Sequence, residues 1–345
     1  MRRREFLTTV AGAASLRAQR ASVKLGVDLF SLRSQGWNAF ELLDYCARRQ
    51  VEVVHFSEPR FLGSLEEDHL RRVGERARQL GVQLEVGMRS ICPSSKMFDA
   101  SQGAAAEQLA RLIRAARLLG SPIARVVLGG MADRAVPPGI EAHIENTVRV
   151  LKKVRSQVLD AGIKIAVENH AGDMQARELK ALVEQAGLDF VGVCLDSGNP
   201  LWAIEDPHLT LEILAPYVLT SHLRDSAVWR VPQGAAVAWV RMGEGNVRIE
   251  EWVRKYAERC PGKTLSLEVI VTGPRVFAYH DPKFWDAYRA TPAWEFARFL
   301  ALAENGSPRR APPALSKEAA AEREREDLEA SLGFTRELLK RIAAG

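Results

Sequence analysis

The chain has 345 residues, of which 47% are hydrophobic, so it is long enough to bury one large core. Its formal net charge of +5 is concentrated at the start, because residues 1–21 hold five basic residues and one acidic residue, a balance of +4, which leaves +1 for the rest. So small a surplus argues against an extended basic surface for nucleic acid. The four cysteines lack regular spacing and are interpreted as isolated apolar residues.

The first segment resembles a twin-arginine export signal. Residues 3–7 read "RREFL", and a short, weakly apolar run and small residues near Ala18 follow. We therefore expect residues 1–21 to direct export of the folded protein to the periplasm; without that function the protein would be cytoplasmic. The apolar run is too short to span a bilayer, so no membrane span is expected.

From residue 22 to about residue 302, strand-like and helix-like patterns alternate eight times. The strand-like runs are rich in Val, Leu and Ile, as is typical of strands covered on both faces. They read "VKLGVDLF", "VEVVHF", "VQLEVGM", "ARVVLGG", "IKIAVEN", "FVGVCLD", "YVLTSHL" and "TLSLEVI". Helix signals lie between them: Asn38 is a predicted N-cap, Ser64 with Glu67 a predicted capping box, and one helix is predicted over 143–162.

This alternation predicts an α/β fold, a (β/α)8 barrel with a C-terminal helical extension. The predicted divisions are a signal segment at 1–21, the barrel at 22–304, and a linker with a helical tail at 305–345. The tail places Phe334, Leu338 and Ile342 on one stripe. That stripe is expected either to pack on the barrel wall or to form a contact in a homo-oligomer.

Four polar residues follow apolar runs at the predicted carboxyl ends of consecutive strands. They are Glu168 in "IAVE", Asp196 in "VCLD", His222 in "LTSH" and Glu268 in "LSLE", separated by 28, 26 and 46 residues. In a barrel these ends meet on one face, where active sites are built. Three carboxylates would repel one another unless a divalent cation offset their charge. The donor set predicts one divalent metal ion, with Mn²⁺ preferred and Mg²⁺, Co²⁺ or Zn²⁺ as alternatives.

These motifs resemble those of the xylose isomerase-like barrel superfamily, in particular the sugar phosphate isomerase and epimerase group. The matching segments are "VENH", "LDSGNP", "SHLRDS" and "SLEV", and the resemblance covers about residues 22–302. It implies that Glu168, Asp196, His222 and Glu268 bind the metal. It also implies that Glu168 and Glu268 face the substrate carbon from opposite sides, one removing a proton next to a carbonyl and the other returning it through a metal-stabilised enediolate.

Two positions depart from the epimerase pattern. Where those enzymes carry a second histidine three residues after the Asp, this chain has Asn199, and the Arg that they place six residues after the metal-binding His is Val228 here. Arg224 or Arg230 is a candidate replacement for that Arg, although neither matches by position.

Further candidates surround the predicted pocket. His170 is a candidate acid, base or substrate contact, since an extended strand would point it the same way as Glu168. Asn199, Arg224, His55 and Glu58 are candidate substrate contacts, and aromatic side chains suit the apolar faces of a sugar. The candidate aromatic residues are Phe30, Trp202, Trp229, Tyr279 and Trp285.

The leading interpretation is a metal-dependent isomerase or epimerase acting on a sugar or keto-sugar. A keto-glycoside lyase or hydrolase, or a dehydratase, would use the same site. An endonuclease IV-like nuclease and a non-catalytic sugar-binding barrel are more remote alternatives. Export disfavours phosphorylated substrates, which are mainly intracellular, and the near-neutral barrel disfavours nucleic acid.

Overall fold

The computed structural model describes residues 23–344 and contains a closed barrel of eight parallel strands. Around the barrel the strands follow the order β1-β10-β7-β6-β5-β4-β3-β2. They are β1 (Lys24–Asp28), β2 (Val53–Phe56), β3 (Gln83–Ser90), β4 (Ile123–Val127), β5 (Lys164–Glu168), β6 (Val191–Asp196), β7 (Val218–Leu223) and β10 (Thr264–Leu267). Strands β8 and β9 belong to a second sheet, described below. The predicted (β/α)8 barrel is confirmed. The twin-arginine segment lies outside the described residues.

Helices connect the strands, as the alternating pattern predicts. They are α1 (Ala39–Arg48), α2 (Glu67–Gln79), α3 (Ala105–Leu119), α4 (Met131–Arg134), α5 (Ile140–Lys153), α6 (Arg155–Ala161), α7 (Ala176–Ala186), α8 (Pro207–Leu214), α9 (Ile249–Arg259), α10 (Ala293–Glu304) and α11 (Lys317–Ala344). No helix within residues 23–344 is long and apolar enough to cross a membrane. All four cysteines are buried with free thiols.

Of the two helix starts predicted from capping residues, one is confirmed by the structure. The Asn38 side chain accepts from the backbone N–H groups of Phe40 and Glu41, and Glu41 accepts in return from the Asn38 N–H, so the predicted N-cap forms a capping box. The capping box predicted at Ser64 is wrong. Helix α2 begins at Glu67, and the Ser64 hydroxyl instead accepts from the Glu66 N–H at 3.1 Å.

The single helix predicted over 143–162 is two helices in the structure. Helix α5 ends at Lys153, and α6 begins at Arg155 after Val154, whose backbone leaves the helical region at φ −102° and ψ 3°. The predicted stop at Gly162 is present, with a left-handed φ of 67° that glycine adopts without a steric penalty. Helical periodicity did not reveal the break because both helices turn apolar residues toward the barrel.

A three-stranded antiparallel sheet was not predicted. It consists of β8 (Asp225–Val231), β9 (Gly234–Val240) and β11 (Arg275–Phe277), in the order β11-β9-β8. Strand β8 starts two residues after β7 ends, so the sheet rises from the carboxyl end of the barrel, beside the predicted site. Glycine at 234 has a φ of 153°, and a Cβ there would come within 2.2 Å of the Phe277 carbonyl oxygen.

The C-terminal helix α11 packs against the barrel, close to the 3-10 helix Leu29–Leu32 and to β10. Its buried face includes Leu328, Leu332 and Leu338, while Phe334 and Ile342 are only partly buried. Glu324 ties the helix to the loop after β1, since it accepts hydrogen bonds from the Ser34 backbone N–H at 2.9 Å and the Ser34 hydroxyl at 2.8 Å.

This packing predicts a strong dependence of stability on Leu328, which has no exposed surface. Replacing Leu328 by Ala should lower the free energy of unfolding by about 2–5 kcal/mol, because it removes buried methyl groups and leaves a cavity. Denaturant titration measures the change. Leu315→Ala is the control, since Leu315 is 43% exposed and should change stability by less than about 0.5 kcal/mol. Equal effects of the two substitutions would mean that α11 does not pack as described.

Candidate metal centre

The four predicted metal-binding residues converge at the carboxyl end of the barrel. Glu168 and Asp196 are the last residues of β5 and β6, His222 lies one residue before the end of β7, and Glu268 directly follows β10. One ligand atom from each of the four lies within 4.8 Å of the others. His222 Nδ1 is 3.0 Å from Glu268 Oε2 and 3.3 Å from Glu168 Oε2. All four side chains are buried.

The residues present fit a divalent cation. His222 Nδ1 is buried and has no hydrogen-bond partner among residues 23–344, although it faces Glu168 Oε2 and Glu268 Oε2. A buried polar atom without a partner is costly, and a cation bound by His222 and the two glutamates would satisfy it. Three carboxylates and one imidazole form a donor set suited to Mn²⁺ or Mg²⁺.

Two buried arginines compensate the carboxylates. Arg224 Nε donates to Asp196 Oδ2 at 2.8 Å, and its Nη2 also contacts Glu268 Oε2. Arg125 Nε lies 3.3 Å from Glu168 Oε2. The sequence analysis offered Arg224 as a substrate contact, whereas in the structure it binds two of the predicted metal ligands. Arg125 was not predicted.

These charges set the ionisation of the carboxylates. Burial opposes ionisation of Glu168, but His222 and Arg125 outweigh it and lower the pKa of this carboxyl to about 2. Burial also opposes ionisation of Glu268, where Arg224 and His222 hold the pKa well below its usual range. Both glutamates are therefore ionised at neutral pH. Burial raises the pKa of Asp196 to about 6, and Arg224 limits that rise.

A second buried group lies on the other side of His222. His222 Nε2 is 2.9 Å from His55 Nδ1 and 3.3 Å from Asp28 Oδ2, and His55 Nδ1 is 3.7 Å from Glu85 Oε2. Burial opposes protonation of His222, but the acidic groups around it raise its pKa well above the usual value. A cation bound at Nδ1 would therefore displace a proton there, while Nε2–H still donates in this direction. His55 thus lies behind His222, on the side away from Glu168 and Glu268, instead of lining the pocket as a substrate contact. Burial raises the pKa of Asp28 to about 7, and Glu268 adds to that rise.

The loop after β6 holds the carboxylates in place. The backbone N–H groups of Gly198 and Asn199 both donate to Asp196 Oδ1 at 2.7 Å. The Asn199 side-chain amide donates to Glu168 Oε1 at 3.1 Å. Asn169 pairs with the backbone of Asp196, donating to its carbonyl at 2.9 Å and accepting from its N–H at 2.8 Å. Asn199, a predicted substrate contact, thus links the β5 and β6 ligands.

The other predicted substrate contacts interact with neighbouring residues. His170 Nδ1 donates to the Gly129 carbonyl at 2.6 Å, which leaves Nε2 as an acceptor in the neutral ring. Glu58 pairs with Arg60 at 2.6 Å. The guanidinium groups of Arg33 and Arg60 lie over the Phe30 ring, at 5.4 and 5.6 Å from its centroid.

Trp202 belongs to an aromatic stack beside the metal ligands. Its ring stacks on Trp239 of β9 with centroids 4.4 Å apart. The guanidinium groups of Arg224 and Arg275 cover the outer faces, at 4.2 Å from the Trp239 ring and 5.4 Å from the Trp202 ring. The unpredicted antiparallel sheet therefore supplies one wall of the site.

Several predicted pocket residues lie elsewhere. Arg230 pairs with Glu304 at 3.4 Å on the surface, so it does not replace the epimerase Arg, and Val228 is buried in the core. Trp229 is buried in a separate cluster of the antiparallel sheet. Tyr279 and Trp285 pack against Phe296. Trp229 and Arg230 are neighbours on β8, so their side chains point to opposite faces of the sheet. Aromatic contacts hold Tyr279 and Trp285 against Phe296 instead of at the mouth of the barrel.

Comparison with known proteins agrees with this geometry. The family model for the xylose isomerase-like TIM barrel matches residues 32–286, more than half of the chain. The chain belongs to this family. A 3-oxo-isoapionate decarboxylase from Pectobacterium atrosepticum is 26% identical over 195 residues, which are 56% of this chain and 58% of the decarboxylase.

Two solved structures of epimerases share the fold of this xylose isomerase-like barrel. D-psicose 3-epimerase from Clostridium cellulolyticum superposes with a TM-score of 0.60 at 14% identity, covering 92% of this chain and 99% of the epimerase. L-ribulose 3-epimerase superposes with a TM-score of 0.59 at 15% identity, covering 93% and 96%. At these identities the likeness shows the fold alone.

The sequence reasoning missed Asp28, Arg125, Glu85 and Trp239. Asp28 could have been found, because it ends the apolar run "KLGV" just as Glu168 ends "KIAV". Arg125 and Glu85 lie inside their strands, where a polar residue gives no strand-end signal. Trp239 depends on the antiparallel sheet, which was not predicted.

Asp28 is expected to support metal binding by orienting His222. Asp28→Asn should weaken Mn²⁺ binding by about 10–100-fold, the usual cost of losing a residue that orients a metal ligand. Competition with a fluorescent chelator measures the affinity. Asp160→Asn, an exposed change on α6, is the matched control and should bind like the wild type. Unchanged affinity in Asp28→Asn would remove Asp28 from this role.

Proposed function

We propose that the protein is a divalent-metal-dependent sugar isomerase or epimerase that removes a proton next to a carbonyl group. The observation that carries this proposal is the buried cluster of Glu168, Asp196, His222 and Glu268, with ligand atoms within 4.8 Å of one another. Membership of the xylose isomerase-like family and the sugar epimerases among the structures of the same fold support a small sugar or keto-sugar as substrate.

The four residues of this cluster would hold the ion, and Mn²⁺ is the preferred choice. When bound, a divalent ion polarises the substrate carbonyl and stabilises the negative charge that develops on its oxygen. Asn199 and the backbone N–H groups after β6 keep Glu168 and Asp196 in position. His222 is oriented by His55 and Asp28.

Glu168 and Glu268 are the candidate bases. Both are ionised at neutral pH because cationic neighbours lower their pKa values. One carboxylate takes the proton from the carbon next to the carbonyl, and the electron pair of that C–H bond moves toward the carbonyl to form an enediolate. Return of a proton to the same carbon from the opposite face gives an epimer, and return to the neighbouring carbon gives an isomer. His170, with a free Nε2, is a candidate acid, base or substrate contact.

The role of Glu268 can be tested by proton exchange. Glu268→Gln should slow exchange of a substrate C–H proton with deuterated water by about 10²–10⁴-fold, the usual contribution of general acid–base catalysis. NMR of a panel of sugars and keto-sugars after Mn²⁺ loading measures the exchange and identifies the product. Glu258→Gln, an exposed change on α9, is the control and should exchange at the wild-type rate.

Metal content separates binding from proton transfer. Elemental analysis should find about one divalent ion per wild-type chain, since the four residues form one donor set. Loss of exchange in a Glu268→Gln variant that keeps its metal would assign Glu268 to proton transfer, whereas loss of both would show only that Glu268 binds the metal. Wild-type exchange in the metal-loaded variant would exclude Glu268 as the base. Wild-type protein that binds no metal would contradict the proposal itself.

Decarboxylation of a 3-oxo acid is the second candidate function. It is favoured by the similarity to 3-oxo-isoapionate decarboxylase and by Arg224, whose buried Nη1 has no hydrogen-bond partner within residues 23–344 and could accept a substrate carboxylate. In that reaction the bond to the carboxylate breaks, carbon dioxide leaves, and the electron pair moves toward the 3-oxo group to form an enolate, which then takes a proton. Release of carbon dioxide distinguishes it from epimerisation. A keto-glycoside lyase, a hydrolase or a dehydratase would begin with the same proton abstraction.

Export by the twin-arginine pathway remains a proposal that rests on residues 3–7, "RREFL". Fusing residues 1–30 to a reporter that is active only after export in the folded state should give periplasmic activity. Replacing Arg3 and Arg4 by Lys should abolish it, since this pathway reads the paired arginines. Equal activity of the wild-type and the substituted fusion would indicate export by another route. No periplasmic activity from either fusion would indicate that the protein stays in the cytoplasm.

A further inference from the structure

Two tryptophans lie stacked between two arginines beside the candidate metal ligands. The Arg224 guanidinium lies 4.2 Å from the Trp239 ring, and the Trp239 and Trp202 rings are 4.4 Å apart. The Arg275 guanidinium lies 5.4 Å from the Trp202 ring, on its other face. Each indole is therefore covered by the second indole on one face and by a guanidinium on the other. Neither ring offers a free face to a sugar, so only the ring edges are left for contact with a ligand.

The edges of this stack carry N–H donors without hydrogen-bond partners. Arg224 Nη1, Trp202 Nε1 and Trp239 Nε1 are all buried, and none of them has a partner within residues 23–344. Arginine and tryptophan side chains donate hydrogen bonds but cannot accept them. An unpaired buried donor is costly, and three of them in one stack indicate the place of a ligand that accepts hydrogen bonds.

Two of these donor side chains meet at Gly198, in the loop after β6. A Cβ at Gly198 would come within 2.8 Å of Arg224 Cβ and within 3.1 Å of Trp239 Nε1. Glycine therefore leaves the corner between these two side chains open. Trp202 follows in the 3-10 helix Asn199–Ala203, so the same loop also positions the third donor.

The stack is connected directly to the candidate metal ligands. Arg224 Nε donates to Asp196 Oδ2 at 2.8 Å, and its Nη2 contacts Glu268 Oε2. The unpartnered Nη1 belongs to the same guanidinium, so a substrate group bound there is only a few bonds from a carbon that loses its proton to Glu268. Trp202 and Trp239 each keep 9% of their surface exposed, and Glu268 keeps 7%, so the stack and the candidate base both reach solvent.

The charge of the stack favours an anionic ligand. Arg275 is exposed, and it forms no ion pair with a carboxylate among residues 23–344. Asp196 and Glu268 compensate Arg224, but a divalent ion bound by these carboxylates would share their negative charge. Positive charge is then left at Arg224 and Arg275 for a ligand. A carboxylate supplies the opposite charge and two oxygens that only accept hydrogen bonds.

We propose that the substrate is a sugar acid whose carboxylate is bound by Arg224 Nη1, Trp239 Nε1 and Trp202 Nε1. This inference rests on the proposed function and adds the substrate class, a uronate or a keto-sugar acid. The carbonyl end lies at the metal ligands, and the carboxylate lies at the stack and stays in the product. Arg224 then has two roles, since Nε and Nη2 hold Asp196 and Glu268 while Nη1 binds the substrate.

Binding of matched sugar pairs tests this site. The pairs are D-fructuronate with D-fructose, D-tagaturonate with D-tagatose, D-glucuronate with D-glucose, and D-galacturonate with D-galactose. Within a pair only a carboxylate replaces a hydroxymethyl group, and every member has a carbonyl in its open-chain form. Calorimetric titration into the Mn²⁺-loaded full chain should show at least one acid binding about tenfold more tightly than its neutral partner, because hydrogen bonds to a charged acceptor are the stronger ones.

Two substitutions remove the indole donors while an aromatic ring is kept. Trp202→Phe and Trp239→Phe should each lower the preference for the acid by about three- to tenfold, since each removes one hydrogen bond to a charged group. Trp294→Phe is the matched control, because Trp294 is 57% exposed on α10, and it should keep the wild-type preference. Arg275→Gln is an exposed change that leaves the core intact. It should also lower the preference, and by less at high salt, where exposed charges are screened.

The outcomes separate this inference from the proposed function. Equal binding of every acid and its neutral partner, or no binding of any member, would overturn the inference. A preference that survives in Trp202→Phe, Trp239→Phe and Arg275→Gln would also overturn it, because the carboxylate would then bind elsewhere, such as on the metal ion. If neutral sugars exchange a proton with deuterated water and no acid is preferred, the inference fails and the proposed function stands. If the preference exists and falls in the variants but no sugar exchanges a proton, the proposed function fails and the carboxylate site stands.

Discussion

The structure depends on the compensation of buried negative charge at the mouth of the barrel. Asp28, Glu168, Asp196 and Glu268 approach His222 from different sides, and each is almost completely shielded from water. Carboxylates so arranged repel one another and lose their hydration, so the fold must supply positive charge at the same place. Arg125, Arg224 and His222 supply it, and a cation bound at His222 Nδ1, which faces Glu168 and Glu268, would take the place of the His222 proton.

Much of the surrounding structure holds these charges in position. The loop after β6 gives Asp196 two backbone hydrogen bonds, and the antiparallel sheet places Trp239 against the guanidinium of Arg224. Glycine at 198 is required by this packing, since a Cβ there would come within 2.8 Å of the Arg224 side chain. Behind His222, His55 and Asp28 contact the ring nitrogen Nε2, so the other nitrogen, Nδ1, faces Glu168 and Glu268. The candidate metal centre is thus one connected network of side chains and not four independent groups.

The barrel and the metal ligands allow several reactions, because proton abstraction, elimination and decarboxylation all pass through negative charge on an oxygen next to the reacting carbon. The side chains around that centre choose among them. Here Asn199 binds Glu168, Arg224 binds Asp196 and Glu268, and α11 closes one side of the mouth. These residues surround the predicted ligands, so substitutions among them are expected to change specificity.

From the sequence alone, the eight strands, the barrel and the convergence of Glu168, Asp196, His222 and Glu268 could be predicted. Apolar runs with polar ends repeat along the chain, and the carboxyl ends of parallel strands meet on one face. The pairing of Arg224 with Asp196 and Glu268, the place of His55 behind His222, and the contact between Ser34 and Glu324, 290 residues apart, came only from the tertiary structure. Local sequence patterns predict how often strands recur along the chain and where each strand ends. The partners of a buried charge depend on how the closed barrel brings distant segments together, and no local pattern contains that information.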